Sequence, residues 1–147
     1  MRVSMLLMFG VCGLSWAGLL LAADSETDLK KFDGTWVLSS GEADGKVLTE
    51  KHLKGGKLVI KDGHYTAMLP DKEKVTGVQK VDASKTPKTI DISDDSGENK
   101  GKTCLGIYEF TGEDFRCVFA APGKDRPTKF STAADSGLWL HVWKKAK

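Results

Sequence analysis

Apolar and polar residues alternate with a period of two over most of the chain after Leu29, as in β-strands that bury one face. The alternating runs are short, and clusters of Gly, Asp, Ser and Pro separate them. No helical stripe of useful length follows Leu29, although a short helix or turn is expected at 49–54. The longest loop is expected at 121–137. The pattern predicts eight strands, near residues 35–40, 57–61, 64–69, 75–82, 89–93, 103–110, 115–120 and 138–144.

The first hairpin is specific enough to predict its register. Asp62-Gly63 suits a two-residue type I′ turn, because both positions tolerate positive φ. This turn pairs Ile60 with Tyr65 and Leu58 with Ala67. By alternation, the face toward the core carries Leu58, Ile60, Tyr65, Ala67 and Leu69.

A second hairpin is expected to turn at residues 111–114. This turn pairs Tyr108 with Cys117 and places Glu109 opposite Arg116, where the opposite charges support the register. The face predicted to point inward is mainly aromatic and carries Gly106, Tyr108, Phe110, Phe115, Cys117 and Phe119.

Eight short strands with mostly short connections predict an all-β fold, a small antiparallel meander barrel. A parallel sheet would need crossover helices, and none is visible. The interior of an eight-stranded barrel is just wide enough for packed side chains or for one small ligand.

The last strand alternates between two kinds of side chain. Leu138, Leu140 and Val142 are expected to face the core. The other face is then an outward stripe that forms an interaction patch, and this stripe consists of Trp139, His141 and Trp143. The alternative is that Leu29 and Phe32, or the 121–137 loop, cover these rings.

Residues 1–23 are typical of a secretory signal peptide. Arg2 is their only charged residue, an apolar run follows, and Ala22-Ala23 precede the first acidic residue. Cleavage after Ala23 would deliver the rest of the chain to the periplasm or the cell exterior. Retention as a membrane anchor remains an alternative because the apolar run approaches spanning length. A lipoprotein cut at Cys12 is disfavoured by the bulky Val11.

Length and charge narrow the class of protein. The chain has 147 residues, so 24–147 are expected to form a single domain. A net charge of +2 does not give the strong positive field of a nucleic-acid-binding protein. Nothing after the signal segment has the pattern of a membrane span.

Several motifs together carry a family resemblance. They are Asp33-Gly34-Thr35-Trp36 before the first strand, and the stretches 77–91, 101–109 and 117–130. Over roughly 29–145, the chain resembles the lipocalin-like domain of uncharacterised function found in many copies in planctomycete bacteria. The resemblance implies a small barrel in an exported protein and transfers no activity. The Gly-x-Trp at 34–36 also resembles the lipocalin signature, which implies that Trp36 closes one barrel end against a basic residue, here Lys144 or Arg126.

Two regions are candidates for binding. The loop at 122–128 carries Lys124 and Arg126, which are suited to a carboxylate or phosphate; alternatively, it is a stiff connection whose arginine bonds a neighbouring acid or backbone group. The barrel interior is a candidate site for a small apolar molecule, although its rings could simply fill the core. The candidate lining residues are Trp36, Tyr65, Tyr108, Phe110, Phe115 and Phe119.

Signals for catalysis, metals and cofactors are weak. The chain has no Gly-x-Ser-x-Gly elbow, phosphate loop or dinucleotide fingerprint, and no cofactor is expected. His52, His64 and His141 lie far apart without metal-ligand spacing. A haem-binding barrel with His141 as ligand is an alternative, and so is an uncharacterised enzyme. The favoured interpretation is non-catalytic binding of a small apolar molecule or a cell-envelope partner.

Two cysteines remain after the signal segment, and in an oxidising compartment they suggest a disulfide. The hairpin register argues against it. Cys117 faces Tyr108, four residues from Cys104, which is roughly 13 Å along a strand. A disulfide needs Cα atoms within about 7 Å. Two reduced, buried thiols are therefore predicted.

Overall fold

The computed structural model describes residues 16–147, with side chains from Asp24 onward. The predicted signal segment lies outside the described residues up to position 15, and its last residues are helical. The elements are α1 Trp16–Phe32, β1 Gly34–Ala43, β2 Lys46–Val47, α2 Glu50–Leu53, β3 Lys57–Lys61, β4 His64–Met68, β5 Val75–Asp82, β6 Thr89–Asp94, β7 Thr103–Thr111, β8 Asp114–Phe119 and β9 Trp139–Lys145. Within 16–147, no helix combines the length and apolar character needed to cross a bilayer.

The strands form one antiparallel sheet that closes on itself. Their order is β2-β1-β3-β4-β5-β6-β7-β8-β9, and β9 pairs back onto β1. Eight strands therefore make a closed barrel, while β2 is an additional short strand on the edge of β1. The predicted all-β meander barrel is confirmed, and its architecture is consistent with a lipocalin-like barrel. The expected short helix is also present, as α2.

Both predicted hairpin registers are confirmed. Ile60 pairs with Tyr65, and the turn residues Asp62 and Gly63 have φ of 48° and 76°, as a type I′ turn requires. In the second hairpin, Glu109 pairs with Arg116. Their side chains form an ion pair at 2.6 Å on the outer face.

In this meander, successive connections between strands alternate between the two ends of the barrel. One end carries the tight turns at 62–63 and 112–113, the 83–88 connection and α1. There the backbone N–H of Asp62 donates to Asp33 at the end of α1 (2.9 Å). We call it the closed end. The opposite, open end carries longer connections, at 44–56 (with β2 and α2), 69–74, 95–102 and 120–138.

The sequence pattern did not predict α1. Four of its side chains point toward the barrel at helical spacing, namely Ser25, Asp28, Leu29 and Phe32. Two of these four are polar, so the stripe has no clear hydrophobic signature. Hydrogen bonds to the barrel explain the burial of the two polar residues, Ser25 and Asp28.

The predicted orientation of the last strand is wrong. Trp139, His141 and Trp143 pair with Phe119, Cys117 and Phe115, and cross-strand partners share a face. The Trp-His-Trp stripe therefore points into the barrel, as the inward residues of β8 do. Leu138, Leu140 and Val142 lie outside, where they pack with Ile107, Val118 and Phe130. Because the 121–137 loop covers this outer face, both faces of β9 are apolar and alternation alone did not distinguish them.

The prediction for the cysteines is confirmed. Cys104 and Cys117 are both free and buried. Burial raises the pKa of Cys117 to about 12 and also raises that of Cys104. Both thiols are therefore protonated at neutral pH and pack as small apolar groups.

Candidate functional site

The barrel encloses a cavity of about 820 Å³ that opens at the open end. Three of the six predicted interior rings line it: Tyr65, Phe115 and Phe119. The inward residues of β9 complete its aromatic wall, so the stripe first assigned to the outer surface belongs to this cavity. Its aliphatic lining includes Leu38, Leu58, Ala67, Leu69, Val75, Ile90 and Ile92.

The other three predicted rings, Trp36, Tyr108 and Phe110, belong to the floor of the barrel. Phe32 from α1 lies among them, with its ring centroid 5.1 Å from that of Tyr108 and 4.8 Å from that of Phe110. It also contacts Phe115 edge-on at 5.0 Å. The indole N–H of Trp36 donates to the Phe32 carbonyl at 2.8 Å. These rings seal the closed end and leave the space above them open.

The basic residue that packs on Trp36 is Lys145, so the expectation of Lys144 or Arg126 is wrong. Lys145 Nζ lies 4.4 Å from the ring centroid of Trp36 and donates to the carbonyl of Asp33 at 2.6 Å. Alternation along the strand explains the difference. Neighbouring side chains point to opposite faces, so Lys144 points away from the ring that Lys145 covers.

A buried carboxylate attaches α1 to the barrel. Asp28 Oδ2 accepts hydrogen bonds from the Tyr108 hydroxyl (2.8 Å) and from Lys88 Nζ (2.7 Å). Burial alone would raise the pKa of Asp28, but these hydrogen bonds and the charges of Lys88 and Lys31 outweigh it, and the pKa is lowered. The pKa of Tyr108 is raised by its burial and by this carboxylate. Asp28 is therefore ionised in the folded protein at neutral pH.

A second tyrosine–carboxylate pair lies in the cavity wall. The hydroxyl of Tyr65 donates to Asp94, two strands away, and passes over Gly77 on the strand between. A Cβ at Gly77 would collide with that hydroxyl and with the carbonyl of Ser93. Glycine is required here because the ring lies flat against the β5 backbone.

Two further polar side chains face the cavity. Gln79 is only 7% exposed, and its Nε2 has no hydrogen-bond partner among the described residues. The ring of His141 contacts Trp143 edge-on at 5.7 Å. Burial, with a smaller contribution from the charge of Lys72, lowers the pKa of His141 to about 4, so the imidazole is neutral at pH 7. The haem-barrel alternative requires an inward His141, which is what the structure has.

The charged residues that line the cavity are mostly acidic. The carboxylates are Asp44, Glu73, Asp94 and Glu98, and Lys72 is the only lysine or arginine among the described lining residues. Except for Asp94, they lie in the connections of the open end. A ligand therefore passes a rim with an excess of negative charge.

The 122–128 loop does not present its two basic residues together. Arg126 Nη1 lies 2.6 Å from Asp91 Oδ1 and donates to the carbonyl of Gly106 at 2.7 Å. Lys124 is exposed. This geometry is that of a stiff connection, in which arginine attaches the loop to β6 and β7.

The three histidines lie on different elements of the folded chain, and two of them, His52 and His141, line the cavity. His52 lies in α2, where its Nδ1 is 2.8 Å from Thr49 Oγ1, His64 begins β4 and His141 is in β9. In the part of the chain that the structure describes, no three His, Cys, Asp or Glu side chains are grouped closely enough to hold a metal ion.

Comparisons with known proteins add no relative. No protein-family model, no curated protein and no solved structure matches the chain. The resemblance to the planctomycete lipocalin-like family therefore stays a prediction that rests on the motifs themselves.

Proposed function

We propose that this protein is an exported, non-catalytic β-barrel that binds one small, mainly apolar molecule. The cavity of about 820 Å³ carries the proposal. Small-molecule sites typically measure about 300–1,000 Å³ and combine an apolar wall with few polar groups. This cavity fits that description, in both its volume and its mainly apolar wall.

The barrel walls favour binding over catalysis. The thiolate is the reactive form of cysteine, and the raised pKa of Cys117 keeps this thiol protonated. Tyr65 also has a raised pKa, caused by burial and then by Asp94. His141 is neutral at pH 7, but no described side chain hydrogen-bonds its ring to orient it as a general base. These groups are suited to contacting a ligand rather than to transferring protons.

The interaction-module alternative is no longer supported. It required the rings of Trp139, His141 and Trp143 on the outer surface, and they point inward. The same rings now support the ligand proposal, because they provide aromatic contact area inside the cavity.

Filling the cavity is expected to abolish binding of a neutral apolar probe. Ala67 lines the cavity, so an Ala67→Trp variant places an indole in the space that the ligand needs. We expect its affinity for N-phenyl-1-naphthylamine, followed by probe fluorescence, to fall by more than about tenfold as buried apolar area is lost.

A matched variant on the same strand controls for the added ring. Thr66 points outward from β4, so Thr66→Trp should bind the probe like the wild type. The proposal fails if the wild type does not bind the probe, or if Ala67→Trp binds it equally well while remaining folded by circular dichroism.

Export is tested by the mass of the protein recovered outside the cytoplasm. We expect a chain that begins at Asp24, because Ala22-Ala23 precede the predicted cut. Such a chain keeps Asp28 and Phe32, which attach α1 and seal the floor. An intact amino terminus in a membrane fraction would instead support the retained anchor.

A further inference from the structure

We infer that the ligand is a neutral molecule that presents a hydrogen-bond acceptor, such as a ketone or ester carbonyl, to the side-chain amide of Gln79. This inference rests on the proposed function and specifies the chemistry of its ligand.

Gln79 is the buried polar group in the wall that lacks a partner. The residue is 7% exposed and lines the cavity, and its Nε2 has no acceptor among the described residues. Buried donors in native proteins nearly always have an acceptor. The Nε2 atom itself has almost no accessible surface, so a carbonyl oxygen on the ligand would supply the missing acceptor once the terminal amide of Gln79 turns toward the cavity.

The position of Gln79 places this contact deep in the cavity. Its backbone N–H donates to the carbonyl of Gly63 at 2.8 Å, and Gly63 belongs to a turn of the closed end. A Cβ at Gly63 would lie 3.8 Å from the side chain of Leu29 in α1. The acceptor group of the ligand therefore enters first, and its apolar remainder lies against the aromatic and aliphatic walls.

The charges of the lining argue against an anionic ligand. Lys72 is the one lysine or arginine that lines the described cavity, and it lies in an open-end connection beside Glu73. A carboxylate at the depth of Gln79 would lose its hydration without gaining a cation. It would also pass the acidic rim.

A cationic ligand is disfavoured as well. Asp94 is the one lining carboxylate outside the open-end connections, and it already accepts the hydrogen bond of Tyr65. Burial keeps the His141 imidazole neutral in the same wall, which indicates an environment that disfavours positive charge. A neutral molecule with one acceptor fits both observations.

Three naphthalenes of similar size test the inference. Protein produced from the full chain is dialysed to equilibrium at pH 7.5 against 2-acetylnaphthalene, 2-ethylnaphthalene or 2-naphthoate. We expect naphthoate to bind at least about tenfold more weakly than the ketone, because its charge has no partner. In Gln79→Leu, ketone affinity should fall by about tenfold, since the donor is lost. Affinity for the ethyl compound should stay equal or increase.

Control variants separate the amide from the fold. Lys80 is the exposed neighbour of Gln79 on β5, so Lys80→Gln should leave all three affinities unchanged. Gln79→Met retains an unbranched side chain and repeats the test if Gln79→Leu is unfolded by circular dichroism.

The outcomes distinguish this inference from the proposed function. Equal losses of ketone and ethyl affinity in Gln79→Leu, or no loss of either, would overturn the role of the amide while apolar binding stands. Tighter binding of naphthoate than of the ketone would overturn neutrality. If none of the three binds to the wild type, the proposed function itself fails.

Discussion

Replacing Phe32 with alanine is expected to lower the free energy of unfolding by about 3–5 kcal/mol, the range for deleting a fully buried aromatic side chain. Phe32 is 0% exposed, and its ring contacts Tyr108, Phe110 and Phe115. The neighbouring rings belong to β7 and β8, two paired strands of a closed barrel, so they cannot easily collapse into the vacated space. Urea denaturation followed by tryptophan fluorescence measures the loss.

The conservative change at this position serves as the control. Phe32→Leu retains much of the volume, and we expect it to cost less than about half as much as alanine. The alanine variant should also bind N-phenyl-1-naphthylamine differently, because a hole in the floor lengthens the cavity. A loss below about 1 kcal/mol for Phe32→Ala would mean that α1 does not seal the barrel.

Replacing Asp28 with alanine is expected to cost about 3 kcal/mol, since the change removes two charge-assisted hydrogen bonds and leaves a buried hydroxyl without an acceptor. The hydroxyl belongs to Tyr108, which is 0% exposed, whereas Lys88 is 41% exposed and can return to water. Most of the loss therefore comes from the tyrosine. The double variant with Tyr108→Phe should be only slightly less stable than Tyr108→Phe alone.

The contribution of Asp28 depends on pH in a defined direction. Its pKa is lowered in the folded protein, against the effect of burial, by Lys88 and Tyr108. The stabilisation is therefore complete above the ordinary aspartate pKa of about 3.9 and is lost as pH falls through the lower folded value. The urea midpoints of wild type and Asp28→Ala should differ at pH 7 and approach each other as the pH falls below about 3.9.

An exposed acid on the same helix provides the comparison. Glu26 pairs with Lys30 at 3.7 Å, and both side chains are more than two-thirds exposed. Glu26→Ala should change the stability by less than about 0.5 kcal/mol. An equally small effect of Asp28→Ala would contradict the assigned role of the carboxylate.

Local chemistry explains why the hairpins were predictable. Asp62 and Gly63 tolerate the positive φ values of the first turn. In the second hairpin, the ion pair of Glu109 with Arg116 stabilises a single register. Period-two patterns located all eight barrel strands within a few residues. Closure of the barrel then followed from strand number and short connections, because no local signal opposed it.

The orientation of β9 depended on contacts distant in sequence. Its pairing with β8 brings Trp139 beside Phe119, while the 121–137 loop shields Leu140 from solvent. With both faces covered, alternation identifies a strand but not its inward side. The helix α1 was missed for a related reason, because its buried residue Asp28 is polar and is held there by Tyr108 and Lys88.

The candidate site was predictable only in part. The alternation of side chains along the strands identified the inward-facing rings, but it could not show which rings form the floor and which line the cavity. The boundary between floor and cavity depends on how far Phe32 enters the barrel, which is decided by tertiary packing. Gln79 was overlooked, although it lies on the same strand as Gly77 and two residues away, so both face inward. A polar residue at an inward-facing position was the signal that could have identified it.

Closure between the first and last strands has a consequence for how the chain folds. Lys145 bonds a residue 112 positions earlier, and β9 supplies one partner for β1 and one for β8. Such distant pairings form slowly, after the local hairpins. Until Trp139–Lys145 has joined, two strand edges are free to pair with other chains. Docking of β9 is thus the step that turns an open, association-prone sheet into a closed container.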